Sequence, residues 1–161
     1  MVLSERDDQW VKQYLDHLAA SQGASPHTIR AYSTDLASFF ACLATFHDGE
    51  NIPLERIHSD MIRTYIAEIH GANSMTTVAR KLSSVRSFFR YLQTRGVVEK
   101  NPLAGIRSPR LPTDLPSVLP IDHLFALLDT PDNETPLGIR DRAILELLYA
   151  CGLRVSELTG L

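Results

Sequence analysis

Five of the chain's nine prolines fall between residues 101 and 120, in NPLAGIRSPRLPTDLPSVLP. Each proline fixes its own φ, removes a backbone donor and pushes the residue before it toward extended conformation. A regular helix or a central strand is excluded from this stretch, so folding must happen on either side of it. The chain is therefore expected in three parts: residues 1–100 as a helical domain, 101–120 as a stiff proline-rich linker, and 121–161 as the start of a second domain. At 161 residues, 44% of them apolar, there is enough material for one ordinary core, or for a small core and part of another.

Before the linker the apolar residues recur at helical spacing. Residues 5–21 place Trp10, Val11, Tyr14, Leu15 and Leu18 on one side. Ser25-Pro26 is a start signal, an N-cap followed by proline at the first helical position. The second helix then carries Ile29, Tyr32, Leu36, Phe39, Phe40 and Leu43 inward, with His27, Arg30, Thr34 and Ser38 opposite. A loop around His47 leads to a third helix, capped by Ser59 or Asp60, with Met61, Ile62, Tyr65, Ile66 and Ile69 inward. The fourth, over residues 74–94, has Val78, Leu82, Val85, Phe89 and Leu92 as its core stripe. Four amphipathic helices with short connections make a bundle. No stretch reads as a strand, so the fold class is all-α.

The net charge of −3 hides a partition. Residues 76–110 hold eight Lys/Arg against the single acid Glu99, while both flanking regions are acidic. Binding follows local potential more than the net figure. On the fourth helix the side opposite the core carries Thr76, Arg80, Ser83, Ser84, Ser87 and Arg90, flanked by Lys81 and Arg86. Serine is a mediocre helix former, so three on one exposed face need a reason beyond solubility. Short hydroxyls between arginines let a helix lie against a phosphate backbone while both residue types donate hydrogen bonds. Arg107 and Arg110 in the linker could track the same backbone. A solvated basic face without a partner would carry the same charges.

Beyond the linker, residues 121–129 read as a short helix with Leu124, Leu127 and Leu128 inward, followed by a loop through residues 130–138. The closing segment, RDRAILELLYACGLRVSELTGL (residues 140–161), holds an apolar helical run, a Cys151-Gly152 break and the first turn of another helix. Arg154 would then sit in a corner beside a helix N-terminus, where free N–H groups favour anions. Its guanidinium offers a planar donor fork shaped to clamp a phosphate. Glu157, three residues on, shares its helical face and could hold that fork in place. Helix–glycine–helix junctions with such a pair also occur as plain surface features.

This segment, with the helices upstream, resembles the first catalytic box of the tyrosine recombinases (the phage-integrase family), especially the bacterial Xer type. The resemblance runs from about Trp10 to Leu161. It implies a four-helix core-binding (SAM-like) bundle, a proline-rich linker and the first helices of a truncated catalytic domain. It implies that Arg154 binds the scissile phosphate with Glu157 in support, and that the second and fourth helices grip DNA. Arg30 and Thr34 then join Arg80, Lys81, Ser83, Ser84, Arg86, Ser87, Arg90, Arg107 and Arg110 as DNA-contact candidates. The implied activity is site-specific recombination through a phosphotyrosyl intermediate, in the Xer type for chromosome-dimer resolution at cell division. Implied partners are a double-stranded DNA recombination site, a second related recombinase in a tetrameric synapse, and a DNA translocase of the division machinery. No cofactor is implied, since a phosphotyrosyl link conserves the bond energy.

The family's later motifs, a lysine, a histidine-x-x-arginine box, a histidine or tryptophan and the tyrosine nucleophile, come after the first box, and none follows Arg154 in these 161 residues. Tyr14, Tyr32 and Tyr65 lie on apolar stripes, Tyr91 flanks the fourth helix, and Tyr149 packs into the run before the corner; none reads as a nucleophile. The polypeptide is expected to bind DNA at most. Pro120 stands where the family usually has Ser or Thr, which leaves the cap of the following helix open. A phage or integron integrase of the same chemistry, or a non-catalytic helical DNA-binding module, are the competing assignments. Two lone cysteines, Cys42 and Cys151, make no disulfide framework, so a reducing cytoplasm is the default. The six histidines have no metal-ligand spacing. No apolar run has the length of a membrane span.

Overall fold

Ser25 and Ser74 open two helices in the same way. Each sits in extended conformation with its hydroxyl accepting from the backbone N–H three residues on, Thr28 N at 3.2 Å and Thr77 N at 3.3 Å. That satisfies one of the donors a helix start leaves free. The computed structural model describes residues 5–21, 23–47, 52–109 and 118–161. Among these are helices α1 (Glu5–Ser21), α2 (Pro26–Thr45), α3 (Ser59–Ala72), α4 (Met75–Thr94), α5 (Ile121–Leu128), α6 (Pro136–Cys151) and α7 (Val155–Leu158), with a 3-10 turn at Leu54–Arg56. The described residues contain no strand, and none of their helices is long and apolar enough to cross a membrane. The third helix is capped at His58, one residue before the expected start, without a side-chain hydrogen bond.

The chain divides into two compact units, Met1–Pro112 and Thr113–Leu161. In the first, α4 packs against α1, α2 and α3. Its whole expected stripe is buried, and so are Phe88, Tyr91 and Ser84. A helix touched on three sides buries a wider arc than one stripe, which is why Tyr91 is core rather than flank. Phe39 of α2 meets Tyr65 of α3 and Phe89 of α4 in T-shaped contacts at 5.0 and 6.2 Å, geometry that places ring edges on ring faces.

The packed unit reaches past Lys100. Leu103 has no exposed surface and Ile106 packs against the core. Asn101 ties this stretch to α4, donating from Nδ2 to the Arg86 carbonyl at 3.2 Å and accepting from Leu103 N at 2.9 Å. The first residues of the expected linker are thus part of the bundle. Gln93 holds the turn just before them, donating to the Glu99 carbonyl at 3.1 Å.

In the second unit α5 packs on α6, and α6 on α7. Pro120 caps α5 without a side-chain bond. Leu128 is buried, but Leu127 is about half exposed, against expectation. The segment expected as loop already turns helical at Pro136, because Thr135 Oγ1 accepts from Gly138 N at 3.0 Å. A side chain at Gly138 would place its Cβ 1.9 Å from the Asp132 carbonyl oxygen, so only glycine fits. Cys151 and Tyr149 are exposed rather than packed.

Candidate nucleic-acid interface and phosphate corner

Asp35 lies on the inner side of α2, 1% exposed. A buried carboxylate needs partners, and α4 provides them. Arg80 Nη1 donates to Asp35 Oδ2 in a short ion pair. Ser84 Oγ, also fully buried, lies 3.2 Å from the same oxygen and 2.9 Å from the Lys81 carbonyl. Lys81 Nζ donates to Ser38 Oγ at 3.1 Å. Arg86 donates to the Ile106 carbonyl at 2.8 Å and to Ser108 Oγ at 2.9 Å. Several groups expected to face DNA are therefore fastened inside the first unit. Ser84 is the plain correction: it joins α4 to α2 and presents nothing to solvent.

What remains outward is a narrower stripe. Ser83, Arg90 and Arg30 are exposed, and Ser87 is half-buried. Arg80 keeps 46% of its side chain exposed while anchored, so its outer edge lines a hollow of about 280 Å³ with His27, Arg30 and Thr34. Thr34 uses its proton on the Arg30 carbonyl at 3.0 Å, leaving it an acceptor rather than a phosphate donor. Arg107 is exposed; Arg110 lies outside the described residues.

Sequence reasoning missed Asp35 as the anchor, although a carboxylate between Tyr32, Leu36 and Phe39 on an apolar stripe was the available signal. It also missed Tyr14, His17, Thr94 and Arg95, which surround a second hollow with Ser87 and Arg90. Nothing in helical spacing shows that α1 closes over that end of α4.

Tyr14 and Tyr65 are enclosed, and neither Oη completes a hydrogen bond. Burial pushes both phenols up to about 12, with the hydroxyls of Ser87 and Ser38 offsetting in part. That is the wrong direction for a nucleophile, which is activated by a lowered pKa or a neighbouring base.

The corner after α6 is built as follows. Gly152 adopts φ 61° and its N–H returns to the Leu148 carbonyl at 3.1 Å. The chain then leaves extended through Arg154 and enters the four-residue α7. Glu157 grips Arg154 twice, Oε2 accepting from its backbone N–H at 2.7 Å and Oε1 from Nη1 at 3.0 Å. The guanidinium side chain is 82% exposed. One turn of helix carries little dipole, so any anion here would be held by the guanidinium.

The first unit is thus a helical bundle with an arginine–serine stripe, and the second holds an exposed arginine at a glycine corner. Residues 11–96 match the family described as Phage integrase, N-terminal SAM-like domain, and residues 117–161 match the Phage integrase family. The chain belongs to the phage-integrase family of tyrosine recombinases. Among its relatives, the tyrosine recombinase XerC of Myxococcus xanthus is 41% identical over 153 residues, covering 94% of this chain and 49% of that protein. XerC of Pelobacter propionicus is 41% identical over 151 residues, covering 94% and 50%. The integrase from mycobacterium phage Brujita shares the fold at a TM-score of 0.58 and 22% identity, over 91% of this chain and 46% of that one. The chain spans about half the length of these relatives.

Proposed function

We propose that the chain is the DNA-gripping part and first catalytic box of a Xer-type site-specific recombinase, acting on double-stranded DNA in a synapse with a related recombinase. The observation that carries this reading is the outward stripe of Arg30, Ser83 and Arg90 on α2 and α4, with half-buried Ser87 beside it, its arginines in no ion pair among the described residues while neighbouring basic groups are tied internally. Such a stripe holds a duplex through its phosphates and orients it without naming its sequence. The XerC relatives, at 41% identity over 94% of the chain, support the Xer type over a phage integrase. Chromosome-dimer resolution is the task that the Xer resemblance implies.

In strand cleavage a tyrosine hydroxyl displaces a deoxyribose oxygen at phosphorus, and charge on the non-bridging oxygens is met by cationic forks. Arg154 is one such fork, and Glu157 is its positioning residue. Losing a comparable preorganised donor costs about 3 kcal/mol, on the order of 10²–10³ in rate. Arg154→Lys is therefore expected to abolish most cleavage in a protein carrying the family's full catalytic set, with DNA affinity nearly unchanged. A nicked suicide duplex, which traps the covalent intermediate, measures the first; a gel-shift titration measures the second. A large fall in affinity with cleavage intact would reassign Arg154 to simple binding. The 161 residues alone are expected to bind the duplex and to trap no covalent product.

A further inference from the structure

The arginines of α4 divide by what they touch. Arg80 and Arg86 are each committed to a protein acceptor. Arg90 and Arg95 are in no ion pair among the described residues, and Arg95 Cζ lies over the Tyr91 ring, 5.1 Å from its centroid. Both border a hollow of about 230 Å³ between α1 and α4. Its wall also carries Ser87, Thr94 and His17, and Tyr14 lines it, a phenol 1% exposed, its pKa pushed up by burial and partly offset by the Ser87 hydroxyl. Asp16 lines an adjoining hollow with Arg95 but makes no ion pair with it. Two guanidiniums in no ion pair among the described residues, beside the Ser87 hydroxyl, form the donor set of an oxyanion site, while Thr94 spends its proton on the Arg90 carbonyl at 3.0 Å. The α4 C-terminus opposes an anion with about half a negative charge, which two guanidiniums outweigh.

We infer that this hollow, formed by Tyr14 and His17 of α1 with Ser87, Arg90, Thr94 and Arg95 at the end of α4, seats a phosphodiester group of the bound duplex. The inference rests on the DNA-binding reading above and adds to it a second helix, α1, and an arginine beyond the fourth helix's serine stripe. Seating one phosphate here fixes where the backbone crosses the bundle, because the hollow admits it at one place only.

The test is the salt dependence of duplex binding by the 161-residue chain. Each phosphate neutralised contributes about 0.9 to the slope of log K against log salt. Arg90→Gln/Arg95→Gln together should lower the slope by about 1 and weaken binding roughly five- to tenfold at 0.1 M salt, with each single variant giving part of that change. Arg86→Gln, tied internally, should leave the slope unchanged, and circular dichroism checks that each variant is folded. If Arg90→Gln and Arg95→Gln keep the wild-type slope while Arg30→Gln lowers it, the seat is wrong and the DNA face stands. If no variant lowers it, both fall. Titration with inorganic phosphate alone, followed at the Ser87 and Thr94 amides, separates the source of the anion. Weak, non-saturating shifts are expected; saturation below a millimolar would make this a free-phosphate site and overturn the assignment to DNA.

Discussion

At the residue scale, the strongest single constraint is Asp35. Removing Arg80 would strand its carboxylate under α4, and breaking a fully buried pair costs about 3–5 kcal/mol. Arg80 is half exposed, so water can enter and the loss should be smaller, about 2 kcal/mol. Urea denaturation of Arg80→Ala measures it; a change below about 0.5 kcal/mol would show that the pair is incidental. The two enclosed phenols make a second prediction. Their folded pKa values, about 12, stand above the ordinary 10, so the folded state resists deprotonation that the unfolded state permits. Stability is then full below about pH 10 and falls as pH rises toward 12. Urea midpoints between pH 8 and 11.5 should show that decline, and Tyr14→Phe/Tyr65→Phe should flatten it. Of these residues, the tyrosines were legible as core from their apolar stripes. Ser84 was not, because a helical wheel assigns polar residues to solvent and cannot see a carboxylate waiting on the next helix.

At the scale of elements, what could be read was whatever the chain specifies locally. Ser25 and Ser74 cap α2 and α4 through contacts three residues long, and both starts follow from the sequence. Replacing either serine with alanine should cost about 1 kcal/mol, and the double variant should show the sum, since the caps share no partner. Thermal or urea melts of the three variants check this; a double variant no worse than one single would mean the ends are coupled. Thr135-Pro136 follows the same logic at the start of α6, yet the surrounding loop residues concealed it. The breadth of α4's buried arc was beyond local reading altogether, since it depends on α1, α2 and α3 converging there. The reach of residues 101–106 onto the bundle was hidden likewise, because prolines forbid helix but do not forbid packing.

At the scale of the whole molecule, the two units differ in how much apolar surface they close over. The first buries one continuous cluster drawn from α1–α4 and residues 54–103. In the second, Leu128 is the buried large apolar residue among those described, while Ile121, Leu137, Ile139, Tyr149 and Val155 are each more than half exposed. Burial is the main source of folding free energy, so the second unit should open far more readily than the first. Hydrogen exchange read by mass spectrometry should find amides of α2 and α4 protected to the global limit, and those of α5–α7 exchanging on the order of a hundredfold faster or more. Uniform protection across both units would refute this. The difference bears on Arg154: a guanidinium fork stabilises a transition state only when its scaffold holds it still, and among the described residues Glu157 is what holds it. Arg154→Ala in the 161-residue chain should therefore leave duplex affinity within about twofold of wild type, because the proposed grip lies in the well-closed first unit. An affinity loss as large as that of Arg90→Gln would place Arg154 in the grip itself and make the corner rigid without any further support.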